Sequence, residues 1–321
     1  MSETARQGAG HNGVWRPVNG VLLLDKPAGI TSSAAVQRVR RLFRAQKAGH
    51  TGTLDPMASG LLPICLGEAT KFSHLLLEAD KVYVATIRLG LTTDTADLEG
   101  KTTARHAVQA TSEDIRRALK GFTGEILQTP PMYSALKHGG QRLYELARAG
   151  GEVPRSPRRV VIHRLDLLGI DGDDLKISVT CSKGTYVRVL AEDLGRELGC
   201  GACLSGLRRE GVGTFRLSAR GVVNLDRLER MEPAERDRLL LPPDALVCSL
   251  PRVDVDPEGA LRLGHGQRVE QRAVNDVGLA RIYGPGGVFI GIGEVNAHGE
   301  IVPRRLVSEP STAAAARASI A

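Results

Sequence analysis

One stretch organises this chain: AGHTGTLDPMASGLLPICLGEATK, residues 48–71. It begins with a loop rich in Gly and Thr around Asp55 and continues into an apolar run over residues 60–66. A proline disfavours helical geometry in the residue before it, so Pro56 should hold Asp55 in an extended conformation. Gly, Thr and Asp at this density predict a tight, hydrogen-bonded turn. Local composition alone favours a turn-capping role for Asp55.

The segments around this stretch alternate between the periods of strands and helices. In chain order, they predict an apolar strand (20–24), a basic amphipathic helix (31–45), a half-buried strand (81–89), a capped helix (112–119), a hairpin (159–170 and 175–181) and a helix (185–198). A proline-bearing helical linker (224–246) precedes short Gly-rich strands (251–307) that fit a small β-barrel. The fold class is therefore α+β, with a large sheet flanked by helices.

The bulk composition limits the classes of function. A chain of 321 residues predicts one large domain and a small one. Aromatic residues make up only 3%, which argues against broad base-stacking platforms as the main means of holding nucleic acid. No run approaches the roughly 20 apolar residues of a membrane span. The N-terminus, MSETARQGAGHNG, lacks the apolar core of a signal peptide, so we expect a cytoplasmic protein without membrane contact.

Basic residues are in excess and lie in two clusters. The chain has 43 Lys and Arg against 36 Asp and Glu, a net charge of +7, which suits a polyanionic partner. The first cluster, over residues 35–47, contains no acid and consists of Arg38, Arg40, Arg41, Arg44 and Lys47. The second, over residues 137–164, consists of Lys137, Arg142, Arg148, Arg155, Arg158, Arg159 and Arg164. Two such clusters on either side of the Asp55 loop favour a phosphate-binding surface over solvated helix faces.

The cysteines do not form a recognisable metal or disulfide pattern. There are five, an odd number: Cys65, Cys181, Cys200, Cys203 and Cys248. Cys200 and Cys203 have the spacing of a zinc ligand pair, but no second pair follows to complete four ligands. We expect this pair between the end of a helix at Leu198–Gly199 and a further turn. We therefore expect no metal, and metal analysis of the purified protein would test the zinc alternative.

Six segments occur in a specific order: GVLLLDKPAGITS (20–32), AGHTGTLDPMASGLLPICLGEATK (48–71), DKVYVATIRLG (80–90), QTPPMYSALK (128–137), CSKGTYVRVLAEDLG (181–195) and GLRREGVG (206–213). Together they resemble the bacterial tRNA pseudouridine-55 synthases, the TruB family. The resemblance covers residues 20–213, and the remainder is similar in layout to the small PUA-like domain of that family. It implies the pseudouridine synthase fold, a large, mixed and mostly antiparallel sheet flanked by helices. Several long motifs in order are more specific than any single one.

The resemblance implies that the T-loop uridine at position 55 of tRNA is isomerised to pseudouridine. The base must be flipped out, its glycosidic bond broken, and a carbon–carbon bond formed at C5. Asp55 matches the catalytic aspartate, which either attacks the sugar or stabilises a cationic sugar. Arg188 matches the arginine that pairs with it. Tyr83 matches the active-site tyrosine, whose ring can stack on the uracil and whose hydroxyl can move a proton.

Further positions follow from the same resemblance. Tyr186 and Leu207 match residues that line the uracil pocket, and His50 matches a histidine beside the extruded nucleotides, which we expect to stack and not to transfer protons. Lys26, in the first motif, is expected to support the Asp55 loop.

The family's tRNA-gripping insertion corresponds to residues 133–159. Within it, the residues expected to contact the RNA backbone are Lys137, Arg155, Arg158 and Arg159.

The expected domains are a disordered tail (1–17), a catalytic domain (18–248) with the insertion (133–159) and a helical linker (224–248), a PUA-like RNA-binding domain (249–307) and a second tail (308–321). The expected partner is the tRNA T-arm, with no cofactor and no obligate protein partner. Two alternatives remain: a guide-RNA-dependent pseudouridine synthase, and a non-catalytic tRNA-folding chaperone that uses the same basic surface.

Overall fold

The computed structural model describes residues 14–134, 136–270 and 277–308, with residues 137, 142 and 148 described by their backbone alone. The expected C-terminal tail (308–321) therefore lies outside the described residues except for Ser308, as do residues 1–13 of the N-terminal tail. Residues 14–17 are described and contact the rest of the protein. The Arg16 guanidinium binds the Asp237 carboxylate through two hydrogen bonds of 2.7 and 2.6 Å.

The first part of the chain is built on one large sheet with two small ribbons. In chain order its strands are β1 (Gly20–Lys26), β2 (Ala48–His50), β3 (Ser59–Leu66), β4 (Lys81–Leu89), β5 (Leu91–Thr93), β6 (Thr102–Arg105), β7 (Gly124–Gln128), β8 (Lys137–His138), β9 (Gln141–Arg142), β10 (Arg158–Asp171), β11 (Asp174–Cys181), β12 (Ala202–Val212), β13 (Phe215–Arg216) and β14 (Val223–Asn224). The large sheet has the order β14-β1-β3-β12-β4-β11-β10-β7, with β2 beside β3 and β13 beside β12. Among the described strands of this large sheet, only the β1–β14 and β3–β12 pairs are parallel. The expected mixed, mostly antiparallel sheet is confirmed.

Helices pack against both faces of this sheet, most of them in the core that contains Leu22 and Leu24. The helices of the described chain are α1 (Ser32–Phe43), α2 (Ser73–Leu77), α3 (Ser112–Gly121), α4 (Leu143–Arg148), α5 (Val187–Glu197), α6 (Leu225–Arg230), α7 (Pro233–Asp237) and α8 (Pro257–Gly264). The Thr31 hydroxyl caps α1 by accepting a hydrogen bond from the backbone N–H of Ala34, which offsets an unpaired donor of the first turn. Val36, Val39 and Phe43 then form its buried stripe, as the sequence predicts.

Strand β1 is buried on both faces, which explains its continuous apolar sequence. Leu22 and Leu24 belong to the core shared with α1, α3 and α5, whereas Val21 and Leu23 point to a second core. Successive side chains of a strand point to opposite faces, so one short strand contributes to both cores. The sheet that carries the site is therefore fixed from both sides.

The C-terminal part forms a second, curled half-barrel sheet, as expected. Its strands are β15 (Arg252–Asp254), β16 (Val269–Glu270), β17 (Gly278–Gly284), β18 (Val288–Val295) and β19 (Glu300–Leu306), in the order β15-β17-β18-β19-β16. Tyr283 and Phe289 of this sheet pack into the second core of the large sheet. The Tyr283 hydroxyl also donates a 2.6 Å hydrogen bond to Asp244, in the segment between the two sheets.

Two local expectations differ from the structure. The linker is not a continuous helix: α6 and α7 are short, and a 3₁₀ turn (Pro243–Val247) follows them. The prolines explain this, because Pro233 begins a new helix and Pro242 precedes the 3₁₀ turn. Cys203 lies in β12 and not in a turn, because the chain enters the sheet directly after the Gly199–Gly201 bend.

Candidate active site

The Asp55 loop connects β2 to β3 and is held from two sides. On the α1 side, the buried Ser32 hydroxyl donates to the Leu54 carbonyl (3.0 Å) and accepts from the Leu54 N–H (2.8 Å). On the β1 side, the fully buried Lys26 ammonium donates to the carbonyls of Pro27 and Ile30 at 2.9 and 2.8 Å. A third, longer contact of 3.5 Å reaches the Pro56 carbonyl. The loop is therefore anchored immediately before and after Asp55, and Lys26 lies where we expected support.

Arg188, in the first turn of α5, lies between two carboxylates. Its Nε donates to Asp55 at 2.9 Å and lies 3.5 Å from an oxygen of Asp97. The Arg188 side chain is only 4% exposed and that of Asp55 is 34% exposed. A buried guanidinium needs anionic partners, and here it orients a carboxylate that remains open to the surface. The structure brings together the two residues that the sequence placed 133 positions apart.

The other two nitrogens of Arg188 are satisfied by backbone carbonyls. Nη1 donates to Thr95 at 3.0 Å and Nη2 to Tyr133 at 2.7 Å. The neighbouring residue, Ala96, has a left-handed backbone (φ 59°), which is unfavourable for a residue with a Cβ. Asp97 follows directly and accepts hydrogen bonds from the Thr95 hydroxyl (2.6 Å) and the Glu99 N–H (3.1 Å). This turn therefore holds both Arg188 and its second carboxylate.

Tyr83 and Leu207 lie on neighbouring strands at the base of the site. Tyr83 on β4 is opposite Arg209 on β12, and Leu207, two residues earlier on β12, is opposite Ala85. Cross-strand partners in an antiparallel pair share one face, so these side chains lie together. Burial raises the pKa of Tyr83, while the positive charge of Arg209 and a hydrogen bond from it act in the opposite direction.

His50, at the end of β2, accepts a 3.2 Å hydrogen bond through Nδ1 from the backbone N–H of Gly52. Burial and the nearby Arg209 charge lower the pKa of His50. The imidazole is therefore neutral at neutral pH, with its remaining proton on Nε2. This state suits a stacking or positioning role.

Tyr186, at the N-terminus of α5, is fixed by the buried Gln128. Its N–H donates to Gln128 Oε1 (3.0 Å), and its carbonyl accepts from Gln128 Nε2 (3.3 Å). Burial raises the pKa of the Tyr186 phenol, which Ser134, Arg188 and Arg158 oppose. Tyr186 therefore lies within the same electrostatic environment as Asp55 and Arg188.

The basic residues of the insertion have different surroundings. Arg155 donates to the Pro130 carbonyl and to Glu152, both at 3.1 Å, and Arg159 pairs with Glu125 at 2.7 Å. Arg158 is exposed at the start of β10, and no ion pair engages it among the described residues. The side chain of Lys137 lies outside the described residues.

Within the described ranges, no three His, Cys, Asp or Glu side chains are grouped so as to hold a metal ion. Cys200 and Cys203 are buried free thiols. No helix of the described chain has the length and apolar character needed to cross a bilayer.

Three family models match the chain in succession. Residues 40–187 match the TruB family pseudouridylate synthase N-terminal domain, residues 188–248 the tRNA pseudouridylate synthase B C-terminal domain, and residues 251–307 the pseudouridine synthase II TruB C-terminal model. The tRNA pseudouridine synthase B of Aromatoleum aromaticum is 56% identical over 93% of this chain and 96% of its own length. That of Methylobacillus flagellatus is 51% identical over 92% and 97%.

The chain belongs to the TruB family of pseudouridine synthases. The resemblance carried by the six motifs is thereby confirmed, and the chain is an isomerase that forms pseudouridine.

Solved structures support the fold of this TruB-family chain. The chain superposes on a Cbf5-Nop10-Gar1 complex with a TM-score of 0.66 at 28% identity, covering 91% of this chain and 82% of that one. A second match, an H/ACA RNP bound to a substrate RNA containing 2′-deoxyuridine, has a TM-score of 0.69 at 24% identity, covering 92% and 87%, and supports the fold alone.

The sequence did not predict three residues that lie at this TruB-family site: Asp97, Gln128 and Arg209. Asp97 lies in the run TTDTADLEG (92–100), whose density of Asp and Thr signals a structured turn. Gln128 begins the QTPP motif, and Arg209 lies in the GLRREG motif. Neither motif by itself indicates that these two residues belong to the site. Nothing in the local sequence distinguishes Arg209 from the half-exposed Arg208 beside it.

Proposed function

We propose that this TruB-family enzyme converts the T-loop uridine at position 55 of tRNA to pseudouridine, and that Asp55 is its catalytic residue. One observation carries the proposal: Asp55 is held by the buried Arg188 and yet keeps a third of its side chain exposed. A carboxylate with one fixed orientation and an open face suits attack on a sugar carbon, or stabilisation of a cationic sugar.

The reaction is balanced without any added reagent. The bond from N1 of uracil to C1′ of ribose breaks, the base turns, and C5 bonds to C1′. The hydrogen that C5 loses is matched by the one that N1 gains. Asp55 acts at C1′, and Tyr83 faces the base and takes part in the proton step. Because the target lies in a folded arm, the nucleotide must first be extruded.

The remaining residues bind the substrate. Leu207 and Tyr186 line the uracil pocket, and neutral His50 stacks beside the extruded nucleotide. Residues 18–248 form the catalytic domain, residues 249–307 the RNA-binding domain, and residues 133–159 the grip on the tRNA. Lys137, Arg155, Arg158 and Arg159 are the proposed backbone contacts. The relatives named tRNA pseudouridine synthase B support tRNA as the substrate.

The test is site mapping of pseudouridine in a T-arm stem-loop incubated with the pure protein. We expect Asp55→Asn to abolish isomerisation, because the amide keeps the shape but removes the charge and nucleophilicity, while tRNA affinity stays within a few-fold. Asp173→Asn, in the exposed turn between β10 and β11, is the matched control and should retain activity. Pseudouridine formation by Asp55→Asn would refute the assignment.

The same assay distinguishes the two alternatives. A guide-RNA-dependent enzyme would modify the stem-loop only after guide RNA and partner proteins were added. A chaperone without catalysis would leave the uridine unchanged in the wild type, and the membership of the chain in a family of isomerases already speaks against it.

A further inference from the structure

Arg209 is a buried cation that has no role in the proposed reaction as described so far. It is 1% exposed, and no carboxylate pairs with it among residues 14–134, 136–270 and 277–308. Its Nε donates to the Leu61 carbonyl of β3 at 2.7 Å, and its Nη2 to the Gly52 carbonyl of the Asp55 loop at 3.1 Å. Burying a charge without a counter-ion is costly, and neutral acceptors recover only part of that cost. Packing alone does not require a guanidinium here.

The geometry around Arg209 connects it to the site. It is the cross-strand partner of Tyr83, so the two side chains lie next to each other on one face of the sheet. The same guanidinium fixes Gly52, three residues before Asp55. One side chain therefore binds the loop of the carboxylate and lies beside the tyrosine that faces the base.

The charged and titratable groups around Tyr83 come from three elements. Arg209 on β12 lowers the pKa of the phenol, whereas Cys181 on β11 and Asp55 on the loop raise it, as burial does. Arg209 also lowers the pKa values of Lys26, His50 and Lys81. The positive charge of Arg209 therefore acts to lower the pKa values of Tyr83, Lys26, His50 and Lys81 alike.

We propose that Arg209 is a positioning residue that donates a hydrogen bond to the Tyr83 oxygen and stabilises the Tyr83 phenolate, and so sets the proton-accepting strength of Tyr83. This rests on the proposed function. The phenolate takes the proton from C5 after the new carbon–carbon bond has formed, and the bonding electrons return to the uracil ring. A neighbouring cation favours the charged form of the phenol, so Arg209 makes this step accessible nearer neutral pH.

The first test measures the ionisation of Tyr83 without substrate. Ultraviolet difference titration of wild type against Tyr83→Phe isolates the Tyr83 phenolate, and the same subtraction is made in the Arg209→Met background. We expect Tyr83 to ionise at higher pH in Arg209→Met, and at an intermediate pH in Arg209→Lys, which keeps the charge but not the fork. If Arg209→Met does not fold, Arg209→Lys against wild type carries the test. An unchanged titration would overturn the proposal.

The second test measures single-turnover pseudouridine formation in the T-arm stem-loop as a function of pH. Arg209→Met should lose about 10- to 100-fold in rate at neutral pH, with recovery as the pH rises and little change in RNA affinity. A purely structural role would lower the rate equally at every pH, and that result contradicts the proposal.

The matched control is Arg208→Met. Arg208 pairs with Asp25 at 2.8 Å and is half-exposed, and its loss should leave the pH profile unchanged. Failure of wild type to form pseudouridine would refute the proposed function, whereas the titration tests Arg209 independently of activity.

Discussion

Arg188 shows how one residue can organise a site. It is surrounded by Asp55, Asp97 and two backbone carbonyls, so most of its donors are engaged. In the proposed reaction, the second carboxylate, Asp97, keeps the guanidinium in place while Asp55 acts on the sugar. Because Asp97 is buried and also accepts from the backbone of its own turn, it fixes Arg188 and remains distant from solvent.

Lys26 should make stability depend on pH in a characteristic direction. Burial lowers its pKa from 10.5 to about 8. The unfolded chain therefore binds the proton more tightly than the folded one, and charging Lys26 destabilises the protein fully below pH 8. As pH rises from about 8 to 10.5 this cost is relieved, so Lys26 contributes a rise in the free energy of unfolding, with a slope of up to about 1.4 kcal/mol per pH unit.

Denaturant unfolding of wild type and Lys26→Met across pH 7–10 measures this contribution. The Lys26→Met variant should lack this pH-dependent contribution. The difference in free energy of unfolding between the two proteins should therefore change steadily as the pH rises above about 8. A difference that stays constant with pH would show that Lys26 titrates normally.

At the scale of elements, the approach of β3 to β12 depends on Gly60. Its φ is +104°, and a Cβ there would lie 2.4 Å from the Arg209 carbonyl oxygen. Gly60→Ala should therefore incur about 1–2 kcal/mol of backbone strain and a further 1–3 kcal/mol from displaced strands. Because the displaced strand carries Arg209, activity should fall as well. Thermal unfolding and stem-loop modification measure the two effects.

Gly172 provides the matched control for Gly60. It also has a positive φ, +55°, but a Cβ there would meet nothing within 4 Å. Gly172→Ala should lose stability only through the backbone strain of a positive φ, and it should keep full activity. Equal destabilisation of the two variants would mean that the contact with β12 relaxes easily.

At the scale of the whole molecule, the basic surface should contribute unequally to tRNA binding. Arg155 donates a hydrogen bond to the Pro130 carbonyl, and Arg159 pairs with Glu125. Arg158 is exposed, and its positive charge acts to lower the pKa of Tyr186. Arg158→Ala should lower the slope of log affinity against log salt by roughly 0.7–0.9, the loss of one phosphate contact. Arg159→Ala should change it less.

Arg117 on α3 is the control for the salt measurement. Its guanidinium pairs with Asp114 at 2.5 Å within the same helix, so Arg117→Ala should leave the slope unchanged. Filter binding of tRNA at several salt concentrations gives all three slopes. An unaltered slope for Arg158→Ala would mean that Arg158 faces away from the RNA.

The sequence determined the family, the α+β class and the predicted site, because these depend on residue types in a fixed order and on local periodicity. It predicted Asp55, Arg188 and Tyr83 as site residues through motifs, and it predicted α1 through its cap and apolar stripe. These features can be predicted from residues that are close together in the chain, or from motifs that occur in a fixed order.

Only the tertiary structure identified Arg209 and Asp97 as parts of the site. β12 pairs with β4 through two register shifts, and a shift of one residue moves every side chain to the other face of a sheet. That register places Arg209 inside, against Tyr83, and leaves the adjacent Arg208 half-exposed beside Asp25. Neighbouring arginines look alike in a sequence, and the pairing of distant strands decides which one is buried in the site.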